Sequence, residues 1–221
     1  MDKFNSATAM RLKFIELSID LELRCYKKHT ISIESLIQAG LEEFEKHHRD
    51  IAEGMKKDEA TQYLEYISDE YWNLIDKHPD IQRKAELICV YTILENGLNR
   101  ICSICEYCSD NPVKLSDLHA HGIIDKAKKY LEKVIGIQFP KNKALWIEIT
   151  KIQEIRNCYV HKDGFVKQGN KALIEYVNQS DYVEFTGELE LSINKGFTVH
   201  CLELFERLFE QIFSEIRKQR I

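Results

Sequence analysis

Arg156, Asn157 and His161 fall within the stretch Arg156-Asn157-Cys158-Tyr159-Val160-His161, and their side chains are of the types that handle a phosphate diester. A guanidinium keeps its charge at every physiological pH and presents a planar fork of N–H donors that matches two phosphate oxygens. Imidazole is the side-chain type that changes charge near neutrality, so it can take up or release a proton. A carboxamide both donates and accepts hydrogen bonds, and so can orient either neighbour. On a helix, Asn157 and His161 are one turn apart and share a side. Held together, these groups could clamp a phosphate and move protons at it without a metal.

Such positioning requires that KALWIEITKIQEIRNCYVHKDG be a helix, expected over residues 143–161 and stopped by Gly164 just beyond its last turn. At about 100° per residue, Leu145, Ile149, Ile152 and Tyr159 share one narrow arc, and Arg156 falls inside it. A charge that cannot be neutralised needs a carboxylate, a bound anion or a wet cleft beside such a face. Glu95, at the edge of a neighbouring helix's apolar stripe, is the candidate carboxylate; a structural ion pair and a functional role for Arg156 both meet the requirement. His161 taken alone would cap a helix dipole. The surroundings are basic: residues 126–171 hold eleven Lys/Arg against four acids, a local +7 within a chain of net charge −5. Lys143, Lys151, Lys162 and Lys167 are the candidate phosphate contacts in that island, which reads equally as a solvated lysine face.

A chain of 221 residues with 44% hydrophobic and 30% charged residues has ordinary globular composition and length enough for its own core. Nine glycines and three prolines are too few for the turn density of an all-β protein, so the expected class is all-α. Nothing approaches a membrane-spanning apolar run, and the start lacks a signal peptide's apolar block, which predicts a soluble cytoplasmic chain with reduced thiols. Helical periodicity recurs over residues 7–26, 33–51 and 63–75, then His78-Pro79 is expected to break it. Leu87, Tyr91, Leu94, Leu98, Ile101, Cys105 and Cys108 follow steps of four and three, marking a central helix. A shorter helix is expected over residues 123–134. Residues 172–193 alternate like extended chain, with EFTGELELSI a hairpin, and an amphipathic helix over 196–217 closes the sequence. The organisation expected is an N-terminal helical extension over residues 1–78, packed on a domain spanning 79–221.

Other groupings offer competing chemistry. Cys102, Cys105 and Cys108, with His119 and His121, assemble on paper into a zinc site, but the cysteines continue an apolar helix face and read as buried thiols, so no metal or cofactor is expected. Cys158 lies three residues before His161, the spacing of a Cys-His nucleophile, and reads otherwise as an inert core thiol. His47-His48 reads as solvated surface, and Arg217, Lys218 and Arg220 as complements to the last helix's dipole. No Gly-rich phosphate loop is present, which disfavours P-loop and dinucleotide enzymes.

Taken with the upstream helix AELICVYTILENGLNRIC and the closing helix, the arginine, the following asparagine and the histidine after four intervening residues resemble the signature of the HEPN superfamily of all-helical domains. The resemblance covers residues 79–217 and leaves 1–78 unexplained. One subgroup, paired with nucleotidyltransferases, carries a tyrosine two residues after the histidine; Asp163 stands there in this chain. The resemblance implies a HEPN-like helical bundle, a homodimer whose two motif helices line one cleft, and a metal-independent endoribonuclease acting as a toxin or phage-defence effector. It further implies RNA as partner, an antitoxin or regulatory protein as another, Arg156, Asn157 and His161 as catalytic residues, and no cofactor. The alternative it leaves open is a non-catalytic dimerisation or binding module.

Overall fold

The structure, a computed structural model, describes residues 6–218 apart from 110, 121 and 141. Among these residues the chain forms α1 (Ser6–Glu53), α2 (Lys57–Tyr66), α3 (Ser68–Trp72), α4 (His78–Cys108), α5 (Ile123–Lys129), α6 (Lys143–Lys162), α7 (Lys171–Asn178), β1 (Val183–Thr186), β2 (Glu190–Ile193) and α8 (Phe197–Lys218). It is predominantly helical, with a single antiparallel strand pair. No described helix is long and apolar enough to cross a membrane.

The central helix is where the apolar period puts it. Leu87, Tyr91, Leu94, Leu98, Ile101 and Cys105 of α4 are all buried, and α1, α5, α6 and α8 pack around them. α8 supplies a second apolar stripe through Phe205, Leu208, Phe209, Ile212 and Phe213. At the meeting of α1, α4 and α8 stands Gly97, where a Cβ would lie 2.5 Å from Phe209 Cζ and 3.4 Å from Ile19 Cδ1. Only hydrogen allows three helices to approach so closely there.

Several boundaries differ from the sequence expectations. Residues 6–53 form one 48-residue helix rather than two, because the polar stretch Lys27-Lys28-His29-Thr30 interrupts the apolar phase without a Gly or Pro to interrupt the backbone. Pro79 does not separate two helices: it occupies the first turn of α4, where its missing N–H is no loss, and a π-helical segment, Asn73–Lys77, carries the chain over from α3. The residues expected as extended over 172–178 form α7, capped by the Asn170 side chain on Leu173 N and anchored by Leu173 and Val177, one turn apart. The hairpin itself is present, pairing Val183 with Ile193 through Thr186 with Glu190. A second π-helical segment, Tyr130–Ile135, completes the helix expected over 123–134.

The first half of α1 belongs to the core, with Ile19 and Leu23 in the same apolar cluster as Leu94 and Phe209. Lower on α1, Glu34 receives two hydrogen bonds from Arg83 of α4, whose remaining nitrogen reaches Ile193 O of β2. His48 is not solvated surface: its ring meets Phe44 at 4.1 Å and its Nδ1 bonds to Tyr63 Oη, joining α1 to α2. Arg217 ties α8 to α1 through Glu16 at 2.8 Å, so it is an inter-helix ion pair as well as a terminal cation. Arg220 lies outside the described residues.

Candidate functional site

Helix α6 is built to stop where its polar residues gather. Asn142 caps its start, its Oδ1 accepting from Ala144 N at 3.0 Å and Leu145 N at 3.2 Å. Its end closes with Asp163 at φ 50° and Gly164 at φ 87°, and Gly164 N reaches back to Cys158 O, leaving the left-handed turn that glycine favours. Tyr159 fastens this end to the hairpin by donating to Leu191 O at 2.9 Å, while Lys84 of α4 lies 5.3 Å over its ring.

The buried residues Trp146, Ile149, Ile152, Ile155 and Cys158 advance in steps of three. Each such step falls about 60° short of a full turn, so the core stripe drifts around the helix. By the level of Arg156 it has rotated away, and the arginine is left half-buried at the edge rather than deep in the core. Its Cζ sits 5.2 Å from the centroid of the Tyr91 ring, a cation–π contact, and its Nη1 donates to Asn157 Oδ1 at 3.0 Å. Its Nε is buried without a hydrogen-bond partner.

Glu95 forms no ion pair with Arg156 within 4.0 Å among the described residues, so the direct pair weighed from the sequence is not what satisfies the arginine. The two are still coupled. Burial raises the Glu95 pKa, and the Arg156 charge works in the opposite direction. Sequence reasoning missed Tyr91, which reads as one more core residue of the α4 stripe yet forms the floor beneath Arg156. Its hydroxyl is buried, and burial pushes its pKa up, with Glu95 adding to the shift and Arg156 opposing it. The signal available was an aromatic hydroxyl at a core position of one helix and an arginine at a core position of the next.

His161 is exposed, about 140° around α6 from Arg156 and five residues on, so a single chain does not bring the two side chains together. Asn157 stands between them, bonded to one and a turn from the other. The lysine candidates separate in the same way. Lys162 and Lys167 are exposed near the motif end, and Lys143 is exposed about 20 Å away along the helix from Arg156. Lys151 is engaged: its ammonium binds Glu154 at 2.8 Å with only 13% of its side chain exposed, and Glu154 also accepts from Asn170 at 2.7 Å.

The competing groupings come apart. Cys158 is buried with its pKa raised by burial, whereas His161 faces solvent, so the two do not form a thiolate–imidazole pair. Cys102 and Cys105 lie wholly within the core, where burial raises both thiols, Cys105 to about 12. Among the described residues no three His, Cys, Asp or Glu side chains are disposed around a common metal position, and His121 of the paper zinc site lies outside those residues. Compared with known proteins, the chain matches no family model, no curated protein and no solved structure.

Proposed function

We propose that the chain is a metal-independent endoribonuclease of HEPN type, a toxin or phage-defence effector that cuts single-stranded RNA. The observation that carries this reading is the state of Arg156. A cation half-buried on an aromatic floor, with one nitrogen held by Asn157 and no carboxylate within ion-pair distance among the described residues, is a guanidinium kept in place without direct compensation of its charge, Glu95 acting on it only at longer range. A phosphate supplies that compensation.

In the proposed reaction the ribose 2′-hydroxyl attacks the adjacent phosphorus. The 2′-O–P bond forms, the P–O5′ bond breaks, a base takes the hydroxyl proton and an acid gives one to the departing O5′. Arg156 stabilises the extra charge on the phosphorane oxygens, Asn157 holds Arg156, and His161 transfers protons. The products are a 2′,3′-cyclic phosphate and a 5′-hydroxyl end. Because one chain keeps His161 apart from Arg156, the proposed catalytic unit is a homodimer with the α6 ends facing each other. Exposed Val160, one turn beyond Arg156, supports a contact there.

The second reading, a non-catalytic dimerisation or binding module, is favoured by that same exposed and separate His161. Incubating the purified protein with single-stranded RNA in EDTA, beside Arg156→Ala, decides between them: cleavage that disappears with the variant supports the nuclease, and intact RNA in both supports the module.

A further inference from the structure

Helix α1 is apolar on two opposite faces. Leu12, Ile15, Ile19 and Leu23 pack onto α4 and α8, which accounts for one of them. On the far side Met10, Phe14, Leu17 and Leu21 are exposed at 72%, 75%, 53% and 69%, and they follow steps of four, three and four. A surface helix normally turns a polar face outward, and a second apolar stripe stepping by four and three has the spacing that the seam of a two-helix coiled coil uses. The stripe borders a recess of about 150 Å³ between α1 and α8, with Leu17, Ile19, Phe209 and Phe213 in its apolar wall and charged side chains, Lys13 and Asp20 of α1 and Glu206 and Glu210 of α8 among them, around it.

We infer that this outer face of α1 is a homotypic docking seam, occupied by α1 of a second copy running antiparallel. Two features of the sequence select that occupant. The spacing is symmetric about the point between Phe14 and Leu17, so a two-fold axis there sets Phe14 against Leu17 of the second copy and Met10 against Leu21, closing every layer of the stripe on itself. The flanking charges select the direction. Lys13 and Asp20 each precede a seam residue, and antiparallel pairing brings Lys13 of each copy beside Asp20 of the other. Parallel pairing would set them against Ser18 and Cys25 instead, with no charge to meet. Their present partners, Glu16 for Lys13 and Arg24 for Asp20, are exposed pairs within α1 and hold them weakly.

The stripe faces away from the core, whereas the Arg156 motif opens beside α4 and α6, so this seam is separate from the motif-end dimer proposed above. If both operate, the protein assembles beyond a dimer.

The test is the mass of the full chain by light scattering at tens of micromolar, for wild type and for Leu17→Glu. The inference expects the wild-type mass to be at least twice the chain mass and to halve in the variant, with helical circular dichroism unchanged. Asp20→Lys should weaken self-association about fivefold or more, and Lys13→Asp with Asp20→Lys should restore it. Should Leu17→Glu fail to fold, Phe14→Cys with Leu17→Cys, in a chain with Cys25 and Cys89 changed to Ser, should form an intermolecular disulfide on mild oxidation. A monomeric wild type, a mass indifferent to Leu17→Glu, a paired-cysteine variant that stays unlinked, or a monomer that instead sediments with anionic lipid vesicles would overturn it. Arg156→Ala leaves the halving intact, so the seam and the nuclease reading fail separately.

Discussion

Arg83 and Glu34 are joined by two hydrogen bonds, Nε to Oε1 at 2.7 Å and Nη2 to Oε2 at 2.9 Å, forty-nine residues apart in sequence and mostly out of solvent. This pair fixes the middle of α1 to the first turns of α4, and through Ile193 O to the hairpin as well. Removing one member leaves the other charge stranded. Glu34→Ala is therefore expected to lower unfolding stability by about 3 kcal/mol, read from the urea transition, whereas an exposed ion pair such as Lys13 with Glu16 should cost less than about 1 kcal/mol to remove.

Gly97 gives a second, purely steric test. Its virtual Cβ lies 2.5 Å from Phe209 Cζ and 2.9 Å from Cε1, and Phe209 is a buried ring with little freedom to withdraw. Gly97→Ala is expected to cost about 1–3 kcal/mol despite alanine's better helix propensity. An unchanged or raised urea midpoint would show that α1, α4 and α8 do not meet there.

Much of this architecture is legible in the sequence, and the failures share a cause. The α4 stripe, the Gly164 stop and the Val183–Ile193 pairing are local patterns, a period or a punctuating residue, and they appear where the pattern puts them. Missed features depend on what lies opposite. The apolar phase of α1 is interrupted by the polar residues 27–30, while the backbone continues because nothing there breaks a helix. On α6, a helical wheel averages over the drift of the core stripe and puts Arg156 at its centre, whereas at its own level the arginine is at the edge. The neighbourhood of Arg156 and Asn157, and of Asn157 and His161, is readable from spacing; the Tyr91 floor is not, because a tyrosine on a leucine stripe looks like core until the facing arginine is known.

His200 makes stability depend on pH. Its half-buried ring stacks on Tyr182 at 4.6 Å, and its pKa is held below 6.5, first by burial and then by Arg207, against the opposing pull of Glu148 and Glu203. Below 6.5 the unfolded chain therefore takes up the proton before the folded one does. The contribution is present above 6.5 and is lost as the pH falls through the depressed folded value. Going from pH 7 to pH 5, wild type should lose more stability than His200→Phe, which keeps the stacked ring and removes the titration. Equal losses in urea titrations of both would refute it.

Thiol reactivity should divide the cysteines by depth. Cys25 and Cys89 are exposed and should be alkylated in the native state, while Cys102, Cys105, Cys158 and Cys201, buried and with raised pKa values, should react only after unfolding. Mass spectrometry of peptides from native and denatured labelling reads this directly. Protection of Cys102 and Cys105 that is lost on chelation, with about one equivalent of zinc by elemental analysis, would return the metal site to consideration.

The nuclease reading makes the sharpest demand on three side chains. His161 is exposed and takes no part in the core, so His161→Ala should leave folding intact while lowering RNA cleavage about 100-fold or more, the usual contribution of a general acid or base. Arg156→Ala should lose a similar order of rate because the phosphate charge goes unmet. Arg156→Lys keeps the charge but not the planar fork, nor a nitrogen shaped to reach Asn157 Oδ1 while stacked on Tyr91, so it should recover only part of the activity. Asn157→Ala should act through Arg156, weakening cleavage less than either loss. EDTA should have no effect, and RNA with a 2′-deoxy substitution at the cleaved nucleotide should resist, its nucleophile gone. Variants of Arg156 and His161 that cut as fast as wild type would end the catalytic reading.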